Sequence, residues 1–310
     1  MDLPINEPHM RIAALDIGTN TALMLIAEHD DNTILRTIRD EHSIVRLGEG
    51  VDKTHRINED AYQRLSEILA RYKKIIAEEN VDRIAAIGTS ALRDAENKDN
   101  IISRIQNDFG ISVEVISGDE EAALTYRGAT YEIQSDPSAV IAVIDIGGGS
   151  TEIAFGDGAG YHFGKSIDIG AVRLTEQGVN LGNLEEKESD IQKMFSNAFQ
   201  SPTPPTLLVA VAGTPTALAA MLLGLQYFDE SKVNGFILTS SEIDKLLPLL
   251  FSLTPEQLIE RYPVIAKGRA DILPAGALIL REAMRFLGVD SLRVSTRGLR
   301  YGLALRELGM

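Results

Sequence analysis

The sequence predicts an α/β fold of two similar domains that face each other across a cleft. The first observation is a strand, a glycine loop and a second strand at residues 140–156, VIAVIDIGGGSTEIAFG. The second is a shortened copy of that segment at residues 12–21, IAALDIGTNT. The third is the alternation of short apolar strands with amphipathic helices after each copy. A chain of 310 residues has room for two such domains.

The segment at residues 140–156 is typical of a β-hairpin that binds phosphate. Its apolar start, which ends at Asp145, indicates a central strand buried on both faces. Three residues without a Cβ then allow the backbone to turn sharply and bring its N–H groups close to a ligand. A strand follows where the Rossmann and P-loop motifs need a helix, and a glycine hairpin without a ligand is the simpler alternative. The predicted phosphate-binding residues here are Gly147, Gly148, Gly149, Ser150 and Thr151.

The copy at residues 12–21 predicts a second loop of the same kind. Asp16 ends its strand, and Thr19, Asn20 and Thr21 supply hydroxyl and amide groups. Two such loops facing each other would clamp a phosphate chain from both sides, with Asp16 and Asp145 free to hold a metal ion. An Asx turn that ends the strand is the alternative for Asp16.

The remaining elements follow from periodicity and capping signals. A helix predicted over residues 59–79 has Asn58 as its cap, and Thr214 and Pro215 are predicted as the cap and first residue of another helix that stops at Gly224. Residues 254–257 form a predicted capping box. Further strands are predicted at residues 11–16, 22–27, 33–39, 81–87, 112–116, 140–145, 151–155, 161–167 and 207–212, and further helices at 98–109, 189–199, 274–287 and the C-terminus.

The predicted division is an N-terminal extension at residues 1–10, a first domain at 11–128 and a second at 129–310. The polar stretch at residues 134–138 is the predicted connection, with a hinge near residues 128–137. The C-terminal helix is a candidate to pack back on the first domain.

Composition narrows the classes of function. A net charge of −15 disfavours binding to nucleic acid or to an anionic membrane. The absence of cysteine excludes disulfides and thiolate chemistry, and it fits the cytoplasm. Residues 1–11 lack the apolar core of a signal peptide, and the long apolar run at 207–225 is interrupted as a buried strand and helix would be. The five histidines show no spacing typical of a metal site.

The chain resembles the exopolyphosphatase/guanosine pentaphosphate phosphatase family of the actin–hexokinase–Hsp70 superfamily. The matching motifs stand in order along nearly the whole chain: DIGTNT, GTSALRDA, SGDEEA, DIGGGSTE, GAVRLTE, AGTPTALAA, GRADILPAGALIL and STRGLRYG. The resemblance implies two actin-like (RNase H-like) domains, each a mixed five-stranded sheet with flanking helices, around an interdomain cleft. Tyr301 and Asn234 depart from the Glu and His expected at their positions, and the helical HD-like region of long members is missing. These departures put chain-length preference and regulation in doubt.

The resemblance also implies roles for particular residues. Glu121, the second Glu of SGDEEA, corresponds to the carboxylate that activates water, although an acidic first helical turn is the simpler alternative. Arg93 is expected to contact the scissile or an adjacent phosphate, unless it is a surface arginine paired with a neighbouring acid. Asp145, Glu152 and Asp16 are the predicted ligands of Mg²⁺ or Mn²⁺. Arg269 is predicted to bind phosphate in a channel whose other candidate cations are Lys165, Arg173, Lys267, Arg297 and Arg300.

The predicted function is hydrolysis of a terminal phosphoanhydride. The substrate would be inorganic polyphosphate, guanosine pentaphosphate, or both, since each presents the same bond. The expected partners are these compounds or guanosine tetraphosphate, with no nucleic acid and no membrane, and a homodimer is one candidate assembly. Two alternatives remain open: a sugar or acetate kinase of the same superfold, and a non-enzymatic, nucleotide-gated regulator of the actin type.

Overall fold

A computed structural model describes residues 10–29, 35–133, 136, 138–200, 202–265 and 268–310. The first sheet contains five strands: β1 (Arg11–Ile17), β2 (Thr21–His29), β3 (Leu35–Ile44), β4 (Arg83–Gly88) and β5 (Val113–Val115). Their order is β3-β2-β1-β4-β5, with the β1–β2–β3 meander antiparallel and β4 and β5 parallel to β1. This sheet confirms the opening meander and the parallel strands predicted for the first domain.

The second sheet repeats that arrangement with one strand more than predicted. It contains β6 (Ile141–Ile146), β7 (Thr151–Asp157), β8 (Gly160–Ile167), β9 (Leu207–Val211), β10 (Ile237–Thr239) and β11 (Ser291–Val294), in the order β10-β11-β9-β6-β7-β8. The resemblance implied five strands, whereas the residue patterns predicted only four, because they missed the short strands β10 and β11 of three and four residues. The β6–β7 hairpin and the parallel β6–β9 pair match β1–β2 and β1–β4 of the first sheet.

Thirteen helices connect and cover these strands among the described residues. Helix α4 (Lys98–Phe109) has the predicted bounds, the side chain of Asn58 caps α2 (Glu59–Glu78), and the capping box before α11 (Pro255–Arg261) is present. Helix α8 (Gly213–Leu222) starts one residue before the predicted cap Thr214, because Ala212 takes a φ of 71° and turns the chain into the helix. The helices are α1 (Val51–Thr54), α2 (Glu59–Glu78), α3 (Ser90–Asp94), α4 (Lys98–Phe109), α5 (Gly118–Thr130), α6 (Ala171–Glu176), α7 (Leu184–Ala198), α8 (Gly213–Leu222), α9 (Glu230–Val233), α10 (Ser240–Ser252), α11 (Pro255–Arg261), α12 (Leu273–Leu287) and α13 (Leu299–Glu307).

Each sheet lies between two layers of helices. Helices α2 and α4 cover one face of the first sheet, and α7, α8, α10 and α12 surround one face of the second. The opposite faces are covered by an exchange of helices between the two halves of the chain. Helix α13, which follows the second sheet in the chain, packs on the first sheet, and α5, which follows the first sheet, packs on the second. The C-terminal helix therefore contacts the first domain, as the sequence suggested, while α5 joins the core of the second sheet. None of the helices in the described part of the chain is both long and apolar enough to cross a bilayer.

Glycines allow α5 and α13 to cross at short distance. A Cβ added at Gly128 would overlap the backbone at Gly298, and one at Gly302 would overlap the carbonyl of Leu124. Such contact between backbones leaves no room for side chains. The predicted hinge near residues 128–137 begins at this crossing, whereas residues 134, 135 and 137 lie outside the described part of the chain, as do residues 1–9 of the predicted extension.

Candidate active site

The two glycine loops line one cavity between the sheets. It has a volume of about 90 Å³ and lies beyond the carboxyl ends of β1, β4 and β6, where open α/β sheets bind ligands. The predicted site residues that line it are Asp16, Thr19, Asn20, Thr21, Glu121, Asp145, Gly147, Gly148, Gly149 and Ser150. The structure thus brings the two loops and the SGDEEA segment together.

Helix α6 holds the β6–β7 loop with its N–H groups turned to the cavity. The loop carbonyls of Gly147 and Gly148 accept hydrogen bonds from the backbone of Ala171 and Val172 at 2.9 and 2.8 Å. The carbonyl of Gly149 accepts from Arg173 Nε at 2.9 Å. Because the C=O and N–H of one peptide unit point in opposite directions, the following N–H groups face away from α6. A row of N–H groups in this position can bind phosphate oxygens.

Close approach, rather than a special backbone angle, requires the three glycines. None of Gly147, Gly148 and Gly149 has a positive φ, which corrects the expectation of a sharp turn that only glycine can make. A Cβ at Gly149 would overlap Ser90 Oγ, and one at Gly148 would lie 3.0 Å from the Thr19 side chain. Thr19 lies in the β1–β2 loop and Ser90 begins α3, both in the first domain, so the glycines allow the two domains to approach each other closely.

The β1–β2 loop has the same hairpin but different surroundings. Gly18 N donates to Thr21 O at 2.9 Å, as Gly147 N donates to Ser150 O at 3.0 Å. In the described part of the chain, three buried side-chain atoms of this region have no hydrogen-bond partner. They are Asp16 Oδ1, Thr19 Oγ1 and Asn20 Oδ1. Buried polar atoms cost free energy when unpaired, so these atoms are suited to a polar ligand.

Burial of carboxylates raises their pKa values. Burial, with the charges of Glu121 and Asp145, raises the pKa of Asp16 to about 8. Burial and the charge of Glu121 raise the pKa of Asp145 to about 7. The Arg300 guanidinium opposes both shifts. A bound cation would stabilise the charged forms, which is why such a cluster is suited to a metal ion.

Glu121 and Arg93 form a buried ion pair at the wall of the cavity. Arg93 Nη1 donates to Glu121 Oε2 at 2.6 Å, and Nη2 lies 3.5 Å from Ser150 Oγ. Burial raises the pKa of Glu121, and the charge of Arg93 opposes that shift. Glu120 instead pairs with Arg306 at 3.1 Å outside the cavity. The structure therefore distinguishes the two adjacent acids, and Arg93 lies behind the cavity surface.

Thr151 and Glu152 lie behind the loop. The Thr151 hydroxyl donates to Ile169 O at 2.6 Å, and the residue is fully buried. This corrects the expectation that its side chain contacts phosphate, because successive residues of β7 point to opposite faces. Glu152 Oε1 accepts from Ser150 Oγ at 2.7 Å and Ser166 Oγ at 2.6 Å. Glu152 therefore supports Ser150 from below, and its predicted contact with a metal ion stays a prediction.

The donor set at the cavity surface fits Mg²⁺ or Mn²⁺. The described residues include no group of three or more His, Cys, Asp or Glu side chains placed to hold a metal ion together. Magnesium commonly takes one or two carboxylates, several waters and substrate phosphates, so it needs no such group. Asp16 and Asp145 both line the cavity, and Asp16 Oδ1 is unpaired.

A second cavity of about 390 Å³ continues from the first. The two share five residues in their linings: Thr21, Leu23, Ala212, Thr296 and Arg300. Its wall is mostly apolar and includes Leu23, Ile44, Ala217, Ala220, Phe228 and Val264. Arg269 also lines it, and burial lowers the pKa of this arginine.

Of the predicted channel cations, Arg269 alone has no ion-pair partner among the described residues. Arg300 pairs with Asp40 at 2.8 Å, Lys165 with Asp119 at 3.5 Å, Arg297 with Glu132, and Arg173 with Asp52 and Asp94, while Lys267 lies outside the described part.

Tyr301 and Asn234, the two residues that depart from the family pattern, both contact residues that line the second cavity. Tyr301 Oη donates to Asp40 at 3.2 Å, and Asn234 Oδ1 accepts from Thr296 N at 3.2 Å.

Sequence reasoning missed several cavity residues. Ser90 and Thr89 follow β4 in the quoted GTSALRDA motif, so their position after a parallel strand was a usable signal. Leu23 and Asp40 were not predicted, because they come together with the predicted channel cation Arg300 only through tertiary packing, which no local pattern indicates.

Similar proteins were found by sequence and by structure. A model of the Ppx/GppA phosphatase family matches residues 25–310. Exopolyphosphatase 2 of Mycobacterium tuberculosis is 33% identical over 96% of this chain and 99% of its own length. A guanosine-5′-triphosphate,3′-diphosphate pyrophosphatase of Vibrio atlanticus is 29% identical over 94% of this chain and 58% of its own. A bifunctional 3-dehydroquinate synthase/phosphatase of Fusobacterium nucleatum is 32% identical over 91% of this chain, which spans only 44% of that relative.

A solved structure of the Aquifex aeolicus Ppx/GppA family member has a TM-score of 0.82 and 31% identity, covering 97% of this chain and 98% of that one. The likeness therefore extends over both sheets and the cavity between them.

Proposed function

Because the chain belongs to the Ppx/GppA phosphatase family, we propose that it hydrolyses the terminal phosphoanhydride of inorganic polyphosphate or guanosine pentaphosphate. The single observation that supports this most is the meeting of both glycine loops and Glu121 at one cavity. The names of the exopolyphosphatase and pyrophosphatase relatives agree with it. A phosphoryl group held between two loops of N–H and hydroxyl groups, next to a buried carboxylate, is arranged for attack by water.

The chemistry assigned to Glu121 is that of a general base. Its carboxylate accepts a proton from a water molecule as the water oxygen bonds to the terminal phosphorus. The bond from that phosphorus to the bridging oxygen breaks, which releases orthophosphate and leaves a substrate one phosphate shorter. The raised pKa of Glu121 makes it a stronger base than an exposed glutamate once it is ionised. Arg93 keeps the carboxylate oriented through its 2.6 Å hydrogen bond.

Mg²⁺ or Mn²⁺ is the proposed cofactor. Asp16 and Asp145 are the residues that would hold it, with Glu152 supporting Ser150 nearby. Such an ion supplies charge neutralisation for the phosphate oxygens. The carboxylates and a polyanionic substrate could not share the cavity without added positive charge.

The second cavity favours a substrate that carries an organic group. Its apolar wall offers contacts to an aromatic base, which inorganic polyphosphate lacks. Arg269 at the same cavity has no ion-pair partner among the described residues and can bind a further phosphate group. We therefore expect hydrolysis of guanosine pentaphosphate in addition to polyphosphate.

A side-by-side assay tests the proposed function. Orthophosphate release from tripolyphosphate, long-chain polyphosphate and guanosine pentaphosphate is measured with Mg²⁺ and without any acceptor. Release without an acceptor agrees with a hydrolase, whereas phosphate transfer that requires a sugar or acetate would indicate the kinase alternative. Filament formation on adding nucleotide, without release, would indicate the regulator alternative. No release from any of the three substrates would overturn the proposal.

The net charge of −15 disfavours binding to nucleic acid or to an anionic membrane surface, and the phosphate substrate is held by local positive groups such as Arg269. A cytoplasmic location and a homodimer remain proposals, to be checked by fractionation and by sedimentation velocity.

A further inference from the structure

We propose that Arg173 is a positioning residue that aligns the β6–β7 loop with the catalytic pair when the two domains close. This inference rests on the proposed function. The sequence placed Arg173 among candidate channel cations, but its side chain is only 17% exposed and is directed between the domains. Its contacts join parts of both.

One guanidinium makes three contacts that link the domains. Arg173 Nε donates to the carbonyl of Gly149 at 2.9 Å, in the loop of the second domain. Its Nη2 donates to Asp94 of α3 at 2.7 Å, and Nη1 pairs with Asp52 of α1. Both helices belong to the first domain. Arginine can do this because its planar group carries five donors, whereas lysine has a single nitrogen.

Helix α3 connects this contact to the catalytic pair. Arg93 precedes Asp94 and donates to Glu121 at 2.6 Å. Ser90, at the start of the same helix, faces Gly149 so closely that a Cβ there would overlap its hydroxyl oxygen. Fixing Asp94 against Arg173 therefore fixes the distance between the loop, Ser90 and Arg93. A small cavity of about 20 Å³ lies in this seam, lined by Thr19, Ser90, Gly149 and Arg173 among others.

A second contact from α6 supports the same role. Glu176 Oε1 accepts from the backbone N–H of Gly50, which precedes α1, at 2.9 Å. Helix α6 thus holds the loop carbonyls with its first turn and contacts the first domain with Arg173 and Glu176. Arg46 and Asp271 also pair between the domains, but neither side chain is bonded to the β6–β7 loop. This pair therefore serves as the comparison.

The expected effect of losing Arg173 is on turnover more than on binding. The carbonyls of Gly147 and Gly148 keep their bonds to the α6 backbone, so the loop N–H groups stay oriented. The loop can shift relative to Arg93 and Glu121, and small misplacements cost roughly 10²-fold in rate. We expect Arg173→Gln to lower kcat by about 10- to 100-fold with KM changed by less than about threefold.

Kinetics and a distance measurement test the proposal together. Glu67 and Glu185 are exposed on α2 and α7, and the chain has no cysteine, so cysteines at these two positions accept spin labels selectively. Distances between the labels are measured with and without tripolyphosphate and Mg²⁺ in the wild type, Arg173→Gln and Arg173→Lys. Two controls are matched in charge: Arg46→Gln removes an interdomain pair whose side chains make no bond to the β6–β7 loop, and Arg104→Gln removes a pair within the first domain.

The expected result is a broader distance distribution and lower kcat for Arg173→Gln, partial loss for Arg173→Lys, and smaller effects for both controls. Asp94→Asn, which keeps the side-chain shape, should reproduce the kinetic effect if Arg173→Gln folds poorly. An unchanged kcat, or an equal loss in Arg46→Gln, would overturn the proposal. If the wild type hydrolyses no phosphoanhydride, the proposed function fails, and the distance distributions alone then decide whether Arg173 couples the domains.

Discussion

The two glycine loops share one hairpin geometry but are supported differently. In each, the chain after the third strand folds back and donates to the loop carbonyls. Residues 45–48 do this for the β1–β2 loop through backbone N–H groups, and α6 does it for the β6–β7 loop with the addition of Arg173. The repeated motif therefore gives both loops the same backbone geometry, while the contacts around each copy differ and suit it to a separate role.

The side chains of the two loops also differ in whether their polar atoms have hydrogen-bond partners. At the β6–β7 loop, Ser150, Glu152 and Ser166 satisfy one another at 2.6–2.7 Å. At the β1–β2 loop, Asp16 Oδ1, Thr19 Oγ1 and Asn20 Oδ1 have no partner in the described part of the chain. A satisfied network is rigid, whereas unpaired buried atoms gain from a ligand. We infer that the β6–β7 loop is ordered before substrate binds and that the β1–β2 loop completes the site on binding.

The largest expected effect concerns Glu121, which interacts with the aspartates of both loops. Glu121→Gln keeps the shape but cannot accept a proton, so kcat should fall by roughly 10²–10⁴-fold. Substrate affinity should hold or improve, because one negative charge near a polyanion is removed. Measurement of kcat and KM for Glu121→Gln and for Glu120→Gln, whose carboxylate pairs with Arg306, checks this. A larger loss in Glu120→Gln would show that the base is misassigned.

The next effect compares one glycine from each loop. A Cβ at Gly149 would overlap Ser90 Oγ and force the domains apart, so Gly149→Ala should lower kcat/KM by about 10²-fold. At Gly18 the nearest atom is Thr21 O at 3.2 Å and the φ is not positive, so Gly18→Ala should cost less than about threefold. Steady-state kinetics of both variants is the measurement. Equal losses in kcat/KM would mean that both glycines are needed for ligand binding itself rather than for close approach of the domains.

A smaller effect is expected on stability when one hydroxyl is removed from each loop. Ser150→Ala leaves Glu152 with one donor fewer in a buried network, which should lower the free energy of unfolding by about 1–2 kcal/mol. Thr19→Val removes a hydroxyl without a partner in the described residues and should be neutral or stabilising without ligand. Urea unfolding of the ligand-free proteins checks both. A destabilised Thr19→Val would contradict the view of the β1–β2 loop as unsatisfied.

The smallest effect is the pH dependence of stability without metal. The pKa of Asp16 is raised from 3.8 to about 8, and that of Asp145 from 3.8 to about 7. Between the unfolded and folded values the folded state binds more protons, so stability falls as pH rises from about 4 to 8. Thermal unfolding in chelator should show a midpoint lower by roughly 5 °C at pH 8.5 than at pH 6.

Variants of the two aspartates show how much each loop contributes to the slope of stability against pH. Asp16→Asn should remove the slope between pH 7 and 8 and about half of it below pH 7, Asp145→Asn should remove the other half below pH 7, and the exposed Asp60→Asn should remove neither. A slope unchanged in Asp16→Asn would contradict the assignment. Added Mg²⁺ should reduce the slope in the wild type by stabilising the charged forms.

The sequence was a good guide where a feature is local. The hairpin motif, the bounds of α4 and the cap at Asn58 each depend on residues within a few positions of one another. The two loops were also predicted to face each other, because the same motif ends a strand in each domain, and the family resemblance implied the role of Glu121 next to them. Features that depend on packing between distant segments were missed. Arg173 meets Asp52 and Asp94 only after the domains close, and the burial of Glu152 depends on Ser166 of the neighbouring strand.

The exchange of α5 and α13 between the two sheets has a consequence for how the chain is made. The first sheet is synthesised early, yet the helix that covers one of its faces is the last described element to leave the ribosome. Until then Ile12, Ala14 and Leu25 of that sheet stay exposed to solvent, and such surface is prone to aggregation. The nascent chain therefore needs either a chaperone on that face or rapid completion, and the first domain expressed alone should be recovered mainly as aggregate.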